Sequence, residues 1–237
     1  MGKRGVTVLL TVLLAVCLLG MEKIKSREAG TEPEQEENIN VGAETAESTA
    51  EDEPRLVALT FDDGPHAVFT KKLLDGLKER DVKATFFLIG KSIEGKEDVV
   101  KQMAEDGHLV GSHTYNHVQL TKLPVKKACE EITMTNDAIY NVTGKIPEYI
   151  RPPFGSWDKE LECAVNMTAV LWNVDPRDWQ VQDTDTVVKH VLNHVENGSI
   201  ILLHDVYGTS VEAAFQIVDA LKEQGYTFVT VDELILD

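Results

Sequence analysis

From residue 55 onward the chain alternates short apolar runs with amphipathic stretches, and this rhythm constrains the fold more than any other feature. Residues 56–61, 84–89, 109–112, 148–151, 168–174, 199–203 and 226–230 read as strands. Residues 69–80, 99–105, 126–140, 186–196 and 211–223 read as helices. Runs that are mostly apolar suit parallel strands covered on both faces. The helical stretches carry one apolar face, as with Leu73, Leu74 and Leu77. Strands alternating with helices predict an α/β protein with a parallel sheet, open or closed into a barrel. No repeat of fixed period is present.

The polar residues fall in register with this rhythm. Asp62 and Asp63 follow the first strand, His113 the third, and Arg151 ends the fourth. Asp175 follows the fifth, and His204 and Asp205 the sixth. In parallel α/β folds the C-terminal strand ends face one way, and sites are built there. Residues distant in sequence are therefore delivered to one rim.

Asp63, His113 and His117 make a three-ligand set for a divalent metal, since Zn²⁺ takes imidazole nitrogen and carboxylate oxygen and a catalytic site keeps one open position. His113 and His117 are four apart, which one helical turn would bring to the same side. The second such pair, His190 and His194, lies opposite the Val187, Val188, Val191 stripe and reads as a surface feature. His66 and His108 read as surface or loop histidines. Asp62 beside Asp63 suits a base next to a metal ligand, on an Asp-Asp-Gly-Pro turn that exposes both. His204, ending an apolar strand, suits a general acid, with Asp178 or Asp205 to hold its tautomer and charge. Arg151, stiffened by Pro152 and Pro153, suits a fixed ion pair with a carboxylate. Trp179 and Leu202 are candidates for the walls of a small apolar pocket.

These stretches together resemble the polysaccharide deacetylases, the NodB-homology domain of carbohydrate esterase family 4. The resemblance runs from about Arg55 to Asp237. Thr60-Phe61-Asp62-Asp63-Gly64-Pro65 resembles the first family motif, and Ser112-His113-Thr114-Tyr115-Asn116-His117 the second. Arg151-Pro152-Pro153-Phe154-Gly155 is similar to the third, which often has Tyr in place of Phe154. Asp175-Pro176-Arg177-Asp178-Trp179 and Leu202-Leu203-His204-Asp205 are similar to the last two. The resemblance implies a distorted (β/α) barrel with fewer than eight repeats. It implies a divalent ion on Asp63, His113 and His117, usually Zn²⁺, with Co²⁺ or another divalent ion as the alternative. It implies Asp62 as the base acting on the metal's water, and His204 as the acid for the departing amine. Arg151 would orient Asp62, Asp178 would tune His204, and the Phe154 N–H would help to hold the oxyanion. Trp179 and Leu202 would shape the acetyl pocket.

The net charge of −17 divides unevenly: +4 over residues 1–27, −10 over 28–53 and −11 over the rest. Lys3 and Arg4 precede the uncharged apolar run 6–19, which is short for a membrane span but fits an export signal. Residues 1–21 are therefore expected to be a signal peptide or membrane anchor, and 22–54 an acidic linker too poor in aliphatics to fold. The remainder, 55–237, forms the catalytic domain, expected outside the cell or on the outer face of the membrane. Acidity excludes a bare nucleic-acid binder, and nothing in the sequence indicates a protein partner. Cys129 and Cys163 would meet an oxidising compartment, as a disulfide or as two thiols.

An exported domain on a stalk meets wall polymer, and residues 204–211 are similar to peptidoglycan N-acetylglucosamine deacetylases. The expected partner is thus an N-acetylated glycan, peptidoglycan first. Chitin oligomers, acetyl xylan, cyclic ureides, or glycan binding without turnover are the alternatives.

Overall fold

Alternation along the first strand sorts its side chains to two sides of the sheet. The computed structural model describes residues 54–158, 161 and 166–236. Strand β1 (Arg55–Asp62) turns Val57, Leu59 and Phe61 into the main core under the helices. Ala58, Thr60 and Asp62 fall on the opposite, inner face by the two-residue period. Strand β2 (Thr85–Leu88) repeats the division, with Phe86 and Leu88 in the main core and Phe87 packed with Ala58 inside.

Helix α1 (Phe69–Glu79) buries Leu73, Leu74 and Leu77. Two helices precede the next strand, α2 (Gly90–Ile93) and α3 (Glu97–Glu105), the latter with Val99, Val100 and Met103 buried. Strand β3 (Leu109–Ser112) leads to α4 (Val125–Thr143), which ends at Gly144 in the left-handed conformation that glycine adopts freely. Then come β4 (Tyr149–Ile150) and β5 (Thr168–Ala169), and helices α5 (Asp178–Val181) and α6 (Thr184–His194). Asp183 caps α6 by accepting the Thr186 N–H. Strand β6 (Ser199–His204), helix α7 (Gly208–Glu223), strand β7 (Tyr226–Val229) and helix α8 (Val231–Leu236) complete the order.

All seven strands of the described residues are parallel, in the order β5-β4-β3-β2-β1-β6. The seventh, β7, pairs with β1 at Arg55–Ala58, while β2 pairs with β1 at Thr60–Asp62, so one edge of β1 serves two partners. The sheet curls into a half-barrel, the expected distorted barrel with fewer than eight repeats. The strand expected over 168–174 is cut short for this reason. Ala169 pairs with β4, and five residues later Val174 bridges to Ile201 of β6, so the segment leaves one edge and reaches the other. Helix α8, absent from the sequence reading, places Val231 and Leu234 with Ala58, Phe87 and Val170. Its first N–H, that of Val231, donates to Thr85 Oγ1.

The segments read as signal or anchor, as most of the acidic linker, and as the Cys129–Cys163 pair lie wholly or partly outside the described residues. Among the described residues no helix is long and apolar enough to cross a membrane.

Candidate active site

Strand register assembles the site before any side chain is considered. Asp62 and His204 are partners across β1 and β6. Ser112 is the partner of Ile150, and the next residues continue the ladder, with His113 N–H donating to Leu88 O and Arg151 N–H to Ser112 O. Four chemically active residues thus stand side by side at the C-terminal strand ends.

Arg151 is fully buried, lies over the Phe87 ring, and reaches across the inner face of the sheet. Its Nη1 donates to Asp62 Oδ1 at 2.9 Å and to Thr60 Oγ1 at 2.6 Å. Its Nε and Nη2 donate to the carbonyls of Val170 and Leu171. The guanidinium is neutralised and nearly saturated, as a buried charge must be. One Asp62 oxygen is thereby fixed, and the other, Oδ2, faces His113 Nε2 at 3.7 Å.

Asp63 Oδ1 lies 3.6 Å from His113 Nε2 and 3.5 Å from His117 Nε2. This oxygen is buried and has no hydrogen-bond partner, a costly state without a cation. The three ligand atoms lie within 4.8 Å of one another. A tetrahedral ion with bonds of about 2.0–2.1 Å spaces its ligand atoms roughly 3.3 Å apart, so the set fits a divalent metal. His113 Nδ1 bonds to the Arg151 carbonyl at 2.6 Å. That bond requires the proton on Nδ1 and leaves Nε2 free to coordinate. Burial first, then the neighbouring His113, holds the His117 pKa below the ordinary range, which favours the neutral ligand form.

The His113–His117 spacing does not act through a helix, contrary to the expectation. The segment is a loop, with Thr114 at φ 65° and His117 at φ 56°. Asp63 at φ 74° and Phe154 at φ 62° are also left-handed. Non-glycine residues rarely adopt this conformation, and their clustering at one rim marks a site held under strain.

His204 is held by Asp178, not Asp205. The Asp178 carboxylate accepts the His204 backbone N–H at 2.8 Å and bonds Nδ1 at 2.8 Å. Burial alone lowers the His204 pKa, but the Asp178 hydrogen bond and charge, then the charges of Asp62 and Asp63, outweigh it and raise it to about 9. Asp205 points the other way, accepting from Thr70 Oγ1 with its carboxyl fully buried. It also explains Gly64. A Cβ there would lie 2.5 Å from Asp205 Oδ2, so only glycine lets the turn carrying Asp63 pass.

A cleft of about 380 Å³ joins these groups. Asp62, Asp63, His113, His117 and His204 line it together with Phe154, Trp179 and Leu202. The sequence reading missed Trp172 and Tyr207, which line the same cleft, and the lining role of Asp175. Trp172 lies within the strand that the barrel closure interrupts, and Tyr207 precedes α7. Only their nearness to recognised motifs hinted at them. His108 is a correction of another kind. It is buried, accepts the Ala84 N–H at Nδ1, and packs edge-on against Phe86. Burial pushes its pKa down to about 4. His66 is half-buried and accepts the N–H groups of Val68 and Phe69 at the start of α1. His190 and His194 stack on one another on the outer face of α6.

A family model described as polysaccharide deacetylase matches residues 49–170, about half of the chain. The chain belongs to the polysaccharide deacetylase family. PdaC of Bacillus subtilis (strain 168), named a peptidoglycan-N-acetylmuramic acid deacetylase, is 40% identical to this family member over 79% of the chain and 40% of the relative. A solved structure of PdaC aligns with a TM-score of 0.75, covering 76% of this chain and 90% of that one. PgdA of Listeria monocytogenes serotype 1/2a, named a peptidoglycan-N-acetylglucosamine deacetylase, is 40% identical over 76% of the chain and 39% of the relative. A family 4 acetyl xylan esterase from Clostridium thermocellum, solved with a cobalt ion, is 34% identical with a TM-score of 0.73. It is covered over 76% of this chain and 90% of that one. The chain spans about two fifths of the length of PdaC and PgdA.

Proposed function

We propose that this polysaccharide deacetylase-family chain is a metal-dependent hydrolase that removes N-acetyl groups from peptidoglycan, with N-acetylglucosamine as the acetylated sugar. The observation that carries the reading is the joint one of Arg151-bound Asp62, the Asp63–His113–His117 set and Asp178-bound His204 around one cleft.

Asp63, His113 and His117 would hold the ion, and Zn²⁺ is the reading for it. When bound, such an ion supplies Lewis acidity toward a carbonyl and makes water a nucleophile near neutral pH. The chain's own groups do the rest. Asp62 Oδ2 takes a proton from the attacking water while Arg151 holds Oδ1 and fixes the carboxylate plane. The backbone N–H of Phe154 donates to the oxyanion as it forms. His204, protonated through Asp178, gives its Nε2 proton to the leaving amine. Trp179 and Leu202 wall the acetyl methyl and exclude water from it. The products are acetate and a free amino sugar.

PdaC, named for N-acetylmuramic acid, is as similar as PgdA, so N-acetylmuramic acid is the second reading. Metal-loaded full chain incubated with purified peptidoglycan is expected to release acetate. Mass spectrometry of muramidase fragments should then place the free amine on glucosamine. A free amine confined to muramic acid selects the second reading, and no acetate from any wall preparation sinks both.

Residues 1–21 as signal or anchor and 22–54 as tether belong to the same proposal, which puts the domain outside the cytoplasmic membrane. The basic start, apolar run and acidic stretch support it. Fractionation should find the full chain on the membrane or in the medium, and recovery in the cytosol alone would refute the placement.

A further inference from the structure

The loop that carries both histidines adopts a backbone that its own residues resist. Thr114 and His117 are left-handed, and neither is glycine. Such a loop persists only where its surroundings over-determine it. Its first half is held by backbone bonds from α2, with Gly90 N–H donating to Thr114 O at 3.0 Å and Lys91 N–H to Tyr115 O at 3.1 Å. Its second half is held differently. Asn116, immediately before His117, donates its backbone N–H to Glu131 Oε2 at 2.8 Å and its side-chain Nδ2 to Glu131 Oε1 at 2.8 Å.

One carboxylate therefore grips one residue twice, which fixes orientation as well as position. Glu131 stands on α4 next to Ile132, whose burial roots that turn of the helix in a core of its own. His113 is steadied through its ring by the Arg151 carbonyl. His117 is more exposed, 31% against 4% for the His113 side chain. Its ring is steadied by ring contacts with Phe154 and His113 and not by a ring hydrogen bond, so its aim depends on its backbone as well.

We propose that Glu131 is a positioning residue for the metal site: it fixes Asn116 and, through it, the direction in which His117 presents Nε2 to Asp63. The proposal rests on the reading of Asp63, His113 and His117 as metal ligands. It differs from a plain tie between loop and helix in what it moves. A plain tie would change only the melting temperature of the metal-free chain, whereas a positioning group also changes the affinity for the ion. Groups that orient metal ligands are typically worth about 10–100-fold in affinity.

The test is Zn²⁺ affinity of the full chain by competition with a chromophoric chelator, with melting of the metal-free protein alongside. Glu131→Ala is expected to bind Zn²⁺ about 10–100-fold more weakly than the unaltered chain. Glu131→Gln, whose single carbonyl oxygen replaces one of two acceptors, should fall between them. Metal-free melting should fall in both, since hydrogen bonds to the carboxylate are lost, so the affinity is the deciding readout. Affinities within about twofold of the unaltered chain in both variants overturn the proposal. Should Glu131→Ala not fold, Glu131→Gln alone decides by the same criterion. His117→Ala is the control: if it binds Zn²⁺ as tightly as the unaltered chain, the metal reading fails and this proposal with it. If it does not, equal binding by the Glu131 variants refutes positioning alone.

Discussion

Asp62→Asn is expected to lower acetate release by about 10²–10⁴-fold, the range that a positioned general base contributes. The reason lies in which oxygen is free. Arg151 Nη1 requires an acceptor, so the asparagine carbonyl takes the place of Oδ1. Its NH₂ then occupies the place of Oδ2, the atom that faces His113 Nε2. An amide nitrogen there donates and cannot accept a proton. Acetate release measured on the metal-loaded variant, with Zn²⁺ binding checked in parallel, separates loss of the base from loss of the ion. Activity within about threefold of the unaltered chain would move the base elsewhere.

The same substitution carries a cost in stability. Arg151 would keep its charge in a fully buried position after losing its counter-charge. Breaking a buried pair costs about 3–5 kcal/mol when nothing replaces the partner. Thr60 Oγ1 and the carbonyls of Val170 and Leu171 remain as acceptors, so the loss should fall toward the lower end. The melting temperature should therefore drop while the fold survives.

Much of this was legible in the chain because parallel strands hide both faces and end together. An apolar run followed by a polar residue reads as a strand end at Asp62, His113, Arg151 and His204 alike. Register then brings those ends into one rim without further information. What was not legible depends on closure in three dimensions. The break at 170–173 follows from curling the sheet until Val174 meets Ile201, which no local pattern encodes. Trp172 enters the cleft by that same break. The loop over 113–117 looked helical because a four-residue spacing fits a helical turn. Two left-handed residues achieve the same convergence, and their cause is contacts from α2 and α4. His108 looked like a loop residue because its partner, the Ala84 N–H, is distant in sequence. The residues alone leave Asp178 and Asp205 equal as partners of His204; the family resemblance selects Asp178, and adjacency to His204 misleads. Strand β6 ends at His204 and Asp205 begins the turn after it, where its carboxylate is taken by Thr70 Oγ1 instead.

Asp178→Asn should move the alkaline limb of the pH–rate profile down and cut the rate by roughly 10²-fold near pH 8. As the acid of the proposed reaction His204 must carry a proton, so activity should fall as pH rises through its pKa, which is about 9 before an ion is bound. Burial pulls that pKa down, and Asp178 is the largest group opposing it. An amide at position 178 can meet the His204 backbone N–H or its Nδ1–H with oxygen, but not both. Burial then prevails, and the imidazole is neutral where the unaltered enzyme keeps it charged. Part of the value of about 9 comes from the charges of Asp62 and Asp63, and a cation held by Asp63 would weaken this support, so the limb of the metal-loaded chain should lie below 9. The sign for stability follows from linkage. A histidine whose folded pKa is raised stabilises fully below its unfolded value, near 6.5, and loses that contribution as pH rises through about 9. The interval corresponds to roughly 3 kcal/mol in the unaltered chain. Denaturation across that window should show the decline in the unaltered chain and a nearly flat response in Asp178→Asn. Identical alkaline limbs in the two proteins would mean that Asp178 does not set the charge of His204.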